Sequence, residues 1–99
     1  MIKIYGMPSC PDCAYVEAQV KGNEQFQVID IGSHVRLLKE FLRLRDASEA
    51  FASARRHGQA GIPCFVMPDG TVTLNPADVG LRARPVADGE SCALDGSGC

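Results

Sequence analysis

Blocks of apolar and polar residues along the first quarter of the chain predict a strand followed by a helix. The run "IKIY" at residues 2–5 is β-prone and ends at Gly6, which indicates a first strand. Pro11 stands where a first helical residue would lie, and its missing N–H costs nothing there. The helix is predicted to continue to about Lys21, where a Gly-Asn pair ends it.

The middle of the chain predicts a buried strand and then two helical pieces. The run "FQVIDI" at 26–31 is rich in β-branched residues. Apolar residues over 34–45 recur at helical spacing, and Ser33 is positioned to cap that helix. An Asp-x-x-Glu capping box at Asp46 indicates a kink or fresh start, followed by a second helical piece over 47–57.

The last third predicts a hairpin and a short helix. "IPCFVM" at 62–67 and "TVTL" at 71–74 are short strands joined by Pro-Asp-Gly, which favours antiparallel pairing. Asn75 caps a final helix that runs to about Leu81. From 82 to 99 the chain is rich in Gly, Ser, Asp and Ala without periodicity, so we expect a mobile tail.

These elements follow the order β-α-β-α-β-β-α, which predicts an α/β fold. Its sheet would be mixed and four-stranded, with helices on both faces. A chain of 99 residues, 45% of them apolar, can bury one core, so we expect a single domain over residues 1–81 with 82–99 as its tail. We expect a monomer.

Charge and hydropathy exclude several classes of partner. A formal net charge of −2 does not suggest nucleic-acid binding. No run approaches the roughly 18 apolar residues of a membrane span, and the first residues, "MIKIYG", lack the apolar core of a signal peptide. We therefore expect a cytoplasmic protein, in which a close cysteine pair is more often catalytic or metal-binding than a structural disulfide.

The motif "CPDC" at residues 10–13 lies where the first helix begins. As N-cap residue, Cys10 would face backbone N–H groups without intrahelical partners and the positive end of the helix dipole, which both favour its thiolate. Cys13, one turn further along, could then attack a mixed disulfide on Cys10. The carboxylate of Asp12 opposes a second negative charge and limits the fall in the pKa of Cys10.

The second interpretation of the cysteine pair is a metal or iron–sulfur site. Cys-x-x-Cys is a common zinc spacing, and Cys64 could supply a further ligand, although a small buried side chain is the favoured interpretation of Cys64. No second Cys-x-x-Cys occurs among the five cysteines, which favours redox chemistry. Cys92 and Cys99, in the predicted tail, could form a disulfide or thiol relay or be incidental.

The segment "GIPCF" supplies the other half of the redox hypothesis. A proline at the first residue of an interior strand is unusual, because it cannot donate to the ladder. A cis peptide bond before Pro63 is one use, and Ile62 and Pro63 would then form a wall opposite Cys10. The alternative is that Pro63 merely begins an edge strand.

Together "CPDC", "GIP" and "DGTVTL" resemble the glutaredoxins over residues 2–81, and small bacterial glutaredoxin-related proteins most closely. The resemblance implies a thioredoxin-like fold and thiol–disulfide exchange with disulfide-containing substrates. Cys10 would be the nucleophile and Cys13 the resolving thiol. Glutathione would be the reducing co-substrate, with no bound cofactor and no metal. An arsenate-reductase-like domain is a third possibility, which the "GIP" segment disfavours.

The chain departs from the glutaredoxin pattern at three places. Asp12 stands where the family usually has an aromatic residue, and the residues before the motif, "MPS", lack the family's lysine. "LNPAD" replaces the usual Gly-Gly-x-Asp turn, in which Asp78 would be the acid that holds the γ-glutamyl end of glutathione. The candidate substrate-binding residues are Pro11 and Asp12 of the "CPDC" motif, Ile62 and Pro63 of the "GIP" segment, and Asp78, which the resemblance suggests.

Overall fold

The computed structural model describes residues 1–84, which form four strands, three α-helices and two short 3-10 helices. The elements in chain order are β1 (Ile2–Gly6), α1 (Pro11–Val20), β2 (Phe26–Asp30), α2 (Val35–Ala47), a 3-10 helix (Glu49–Phe51), α3 (Ala52–Arg56), β3 (Cys64–Val66), β4 (Val72–Thr73) and a second 3-10 helix (Pro76–Val79). None of these helices is long and apolar enough to cross a membrane.

The sheet has the strand order β2-β1-β3-β4, with β1 and β3 in the centre. β1 runs parallel to β2, with Ile2 opposite Phe26, and antiparallel to β3, with Tyr5 opposite Cys64. β4 returns antiparallel to β3 as the second strand of a hairpin. The predicted α/β fold with a mixed four-stranded sheet is thereby confirmed.

Neighbouring residues of β1 point to opposite faces of the sheet and belong to different core clusters. Ile4 packs with Val16 and Val20 of α1. Tyr5 packs on the other face in the cluster that contains Phe41 of α2 and Phe51. The rings of Phe41 and Phe51 meet edge to face at a centroid distance of 5.6 Å. Helices therefore cover both faces, as the alternating order of strands and helices predicted.

The predicted cap of α2 at Ser33 is wrong, because that hydroxyl is already used. It donates to the carbonyl of Asp30 at 2.7 Å in the turn that ends β2. His34 has the extended backbone of a cap residue instead, and its Nδ1 accepts the N–H of Arg36 at 3.0 Å. An imidazole nitrogen thus satisfies the helix end that the sequence assigned to a hydroxyl.

The predicted break between two helical pieces is present, but it does not lie at Asp46, because α2 continues through that residue to Ala47. The break comes at Ser48, whose extended backbone stops the helix while its N–H still bonds to the carbonyl of Leu44 at 2.9 Å. The Ser48 hydroxyl then accepts the N–H of Ala50 at 3.3 Å and caps the 3-10 helix. A serine therefore performs the capping expected of the aspartate.

The C-terminal elements are shorter than predicted. The last helix is a single 3-10 turn, although Asn75 caps it as expected by accepting the N–H of Ala77 at 3.1 Å. β3 begins at Cys64, so Ile62 and Pro63 lie in the loop before it. Of the predicted tail, Arg82 and Arg84 bond to α1, and 85–99 lie outside the described residues.

Candidate active site

Cys10 caps the N-terminus of α1, as its place in the sequence predicted. Its backbone is extended and its Sγ accepts the N–H of Cys13 at 3.4 Å. Pro11 begins the helix, and the carbonyl of Cys10 accepts the first helical bond, from Ala14 at 2.9 Å. The sulfur of Cys10 therefore lies at the positive end of a ten-residue helix.

The two sulfurs of the motif titrate very differently. A hydrogen bond from the Cys13 thiol lowers the pKa of Cys10 to about 7, and backbone N–H groups of Cys13 and Asp12 act in the same direction against burial and the Asp12 charge. The same thiol–thiol hydrogen bond, together with burial, raises the pKa of Cys13 far above its usual range. Near neutral pH only Cys10 supplies a thiolate.

Exposure distinguishes the same two cysteines. Cys10 keeps 5% of its surface open, whereas Cys13 has none, so a dissolved disulfide meets Cys10 first. Cys13 lies against the end of β1, where Gly6 has no side chain. A Cβ on Gly6 would stand 2.9 Å from the Cys13 Sγ, so only glycine lets the helix approach the strand this closely.

Cys64 is the third cysteine of the buried cluster that contains Cys10 and Cys13. It has no exposed surface, and burial raises its pKa to about 12, so it is a neutral thiol at physiological pH. Within residues 1–84, no three His, Cys, Asp or Glu side chains are arranged to hold a metal ion.

The peptide bond between Ile62 and Pro63 is cis, one of the two possibilities that the sequence left open. Tyr5 near the end of β1 pairs with Cys64 at the start of β3. Ile62 and Pro63 therefore lie at the end of the sheet where β1 leads into the cysteine motif. Ile62 is buried in the same cluster as Cys10. The structure thus brings the "GIP" segment and the "CPDC" motif to one end of the sheet.

Two features that the sequence analysis did not single out hold the "GIP" loop in place. Arg45 of α2 donates to the carbonyls of Gln59 and Ala60, at 2.7 and 3.0 Å. Gly61 has a φ of +92°, and a Cβ there would come within 2.6 Å of the Phe51 ring. Gly61 is visible in the sequence as part of "GIP", but its close approach to Phe51 is not, and nothing in the sequence distinguishes Arg45 from the other cations of α2.

Asp78 and Asp12 both have partners that the sequence did not suggest. Asp78 accepts a hydrogen bond from the Thr73 hydroxyl at 2.5 Å, which ties the second 3-10 helix to β4. Asp12 accepts the Nε–H of Arg84 at 2.6 Å in an ion pair across 72 residues of sequence. No local pattern could have marked Arg84, because it lies in the part of the chain assigned to the tail.

One curated relative is an uncharacterized protein of Haemophilus influenzae, 34% identical to this chain over 68 residues. The match covers 68% of this chain and 79% of the relative. No protein-family model matches the chain, and no solved structure matches it.

Proposed function

We propose, from the residues of this chain alone, that it is a glutaredoxin-like thiol–disulfide oxidoreductase. The chain belongs to the same family as the uncharacterized Haemophilus influenzae protein, and that membership assigns no activity to it. In this proposal the fold is thioredoxin-like and Cys10 is the nucleophile. Cys13 is the resolving thiol, and glutathione is the reducing co-substrate.

The proposed cycle has two exchange steps and one reduction. The Cys10 thiolate attacks a substrate disulfide, forms a mixed disulfide with one half and releases the other half as a thiolate. Cys13 then loses its proton and attacks the Cys10 sulfur, which releases the second half and leaves a Cys10–Cys13 disulfide. Two glutathione molecules reduce that disulfide and leave as oxidised glutathione.

The observation that carries the proposal is the unequal pair at the start of α1. A pKa of about 7 makes much of Cys10 a thiolate at neutral pH, and it also makes Cys10 a good leaving group when glutathione attacks the glutathione sulfur of a Cys10–glutathione mixed disulfide. Because Cys13 is buried and its pKa is raised, it stays protonated until a substrate is attached to Cys10. The order of the two steps therefore follows from exposure and acidity.

The proposed substrate groove lies between the "CPDC" turn and the "GIP" loop. Pro11 and Asp12 flank the nucleophile on one side, and Ile62 and Pro63 form the opposite wall. Among residues 1–84, Ile62 has no backbone–backbone hydrogen bond, which leaves its N–H and C=O to pair with an extended substrate. Asp78 is proposed to receive the α-amino group of glutathione, in place of the family's usual turn.

The test is turnover of a mixed disulfide of glutathione and 2-mercaptoethanol by the purified full-length chain, with glutathione as sole reductant. We expect a rate of Cys10 attack that rises with pH and reaches half its maximum near pH 7, because the thiolate forms there. Turnover only with a thioredoxin-type reductase would reassign the electron donor. Absence of turnover with either donor would contradict the proposal.

A further inference from the structure

Residues 81–84, the last that the structure describes, form a strap along α1 that ends at the cysteine motif. Gln19 binds both backbone groups of Arg82, donating from Nε2 to its carbonyl at 2.7 Å and accepting its N–H at 2.8 Å. Leu81 packs against the apolar cluster that includes Val16 and Val20. These contacts fix the direction of the chain immediately before Arg84.

Gln19 and Asp12 are seven residues apart, so they lie two turns apart on the same face of α1. The strap therefore runs from the C-terminal half of α1 towards its N-terminus, where Arg84 meets Asp12 at 2.6 Å. The two side chains are 21% and 32% exposed, so water screens this pair less than it screens a fully exposed one. Charge-assisted hydrogen bonds of this length are among the stronger polar contacts.

Asp12 stands two residues after the nucleophile, and its negative charge opposes the Cys10 thiolate. A guanidinium on that carboxylate cancels much of its field at the sulfur. Without the strap, the motif would carry an unbalanced negative charge at the point where a second one must form.

We propose that Arg84 is a positioning residue of the active site: held by the Gln19–Arg82 clamp, its guanidinium balances Asp12 and thereby keeps Cys10 reactive. The inference rests on the proposed function in one respect, namely that Cys10 acts as the nucleophile in disulfide exchange. The chain thus compensates, through a contact remote in sequence, for an acid inside its own motif.

The experiment follows alkylation of Cys10 by iodoacetamide, a neutral reagent, across pH in the full-length chain, with the modified residue identified by mass spectrometry. Arg84→Gln is expected to slow alkylation at pH 6.5 about threefold and to move the midpoint to higher pH by roughly half a unit, since a partly exposed charge shifts a pKa modestly. Arg84→Lys is expected to recover part of the rate.

Arg82→Gln is the matched control, because it removes the same charge two residues earlier while the Gln19 bonds use only the Arg82 backbone. Its alkylation profile is expected to match the native one. In an Asp12→Asn background the effect of Arg84→Gln is expected to disappear. That background has no carboxylate at position 12, so the guanidinium has neither an ion-pair partner nor a negative charge to neutralise. Equal effects of Arg82→Gln and Arg84→Gln, or an undiminished effect in that background, would overturn the inference.

This readout needs neither glutathione nor a disulfide substrate, so its failure can be told from failure of the proposed function. A chain without turnover whose alkylation still slows in Arg84→Gln loses the oxidoreductase assignment and keeps the role of Arg84. A chain with turnover whose alkylation ignores Arg84→Gln keeps the activity and loses the positioning role. Gln19→Ala is expected to slow alkylation in the same direction by a smaller factor.

Discussion

Cys10→Ser is expected to lower glutathione-dependent disulfide reduction by about a thousandfold or more, because a serine hydroxyl is not ionised at neutral pH and forms no disulfide. Cys13→Ser is expected to keep part of the activity. In that variant glutathione itself attacks the mixed disulfide on Cys10 and replaces the missing internal thiol. Steady-state turnover of the same mixed disulfide measures both variants.

Cys64→Ser is the control for this pair of substitutions. Cys64 lies in the same buried cluster, but its raised pKa keeps it out of thiolate chemistry, so most of the activity is expected to remain. Full activity in Cys10→Ser would remove the nucleophile from the account. Activity in Cys13→Ser as low as in Cys10→Ser would show that the proposed route through glutathione alone does not operate.

Among the glycines of residues 1–84, Gly61→Ala is expected to give the largest loss of stability on addition of a methyl group. The left-handed backbone costs an L-residue about 1–2 kcal/mol, and the clash at 2.6 Å with the Phe51 ring adds roughly 1–3 kcal/mol. We expect the free energy of unfolding to fall by about 2–5 kcal/mol in urea titrations followed by circular dichroism.

Gly58→Ala provides the comparison, because Gly58 also has a left-handed backbone, with a φ of +70°, and no atom lies within 4 Å of its added Cβ. It should show the backbone cost alone, about 1–2 kcal/mol. Equal losses in the two variants would mean that the Phe51 ring does not constrain the "GIP" loop. A larger loss for Gly61→Ala would place the packing of that loop among the determinants of stability.

Local signals in the sequence were enough to predict the sheet and the start of the site. The first strand, the first helix and the cap at Cys10 were predicted correctly. The signals for them, which are Gly6, Pro11 and the spacing of the two motif cysteines, affect only the backbone close to them in sequence. The same holds for the cap at Asn75. In each case one residue type satisfies a backbone requirement within a few positions of itself.

The parts that the sequence did not predict depend on competition or on distance. Ser33 was a reasonable cap, but its hydroxyl bonds to the preceding turn, and only the folded chain decides between the two uses. A hydrogen bond from the Cys13 thiol lowers the pKa of Cys10 together with the backbone N–H groups, and the sequence pointed only to the backbone groups. Arg84 reaches Asp12 across 72 residues, so no local pattern contains it.

The central claim is that Cys10 is the thiolate that forms the mixed disulfide and that Cys13 resolves it. The most direct measurement is the mass of each form after incubation with oxidised glutathione, with the modified cysteine located by peptide mapping. Cys13→Ser is expected to carry one glutathione on Cys10, while the native chain carries none and forms the Cys10–Cys13 disulfide. An adduct located on Cys64, Cys92 or Cys99 instead, or a Cys13→Ser chain that takes up no glutathione, would contradict the account.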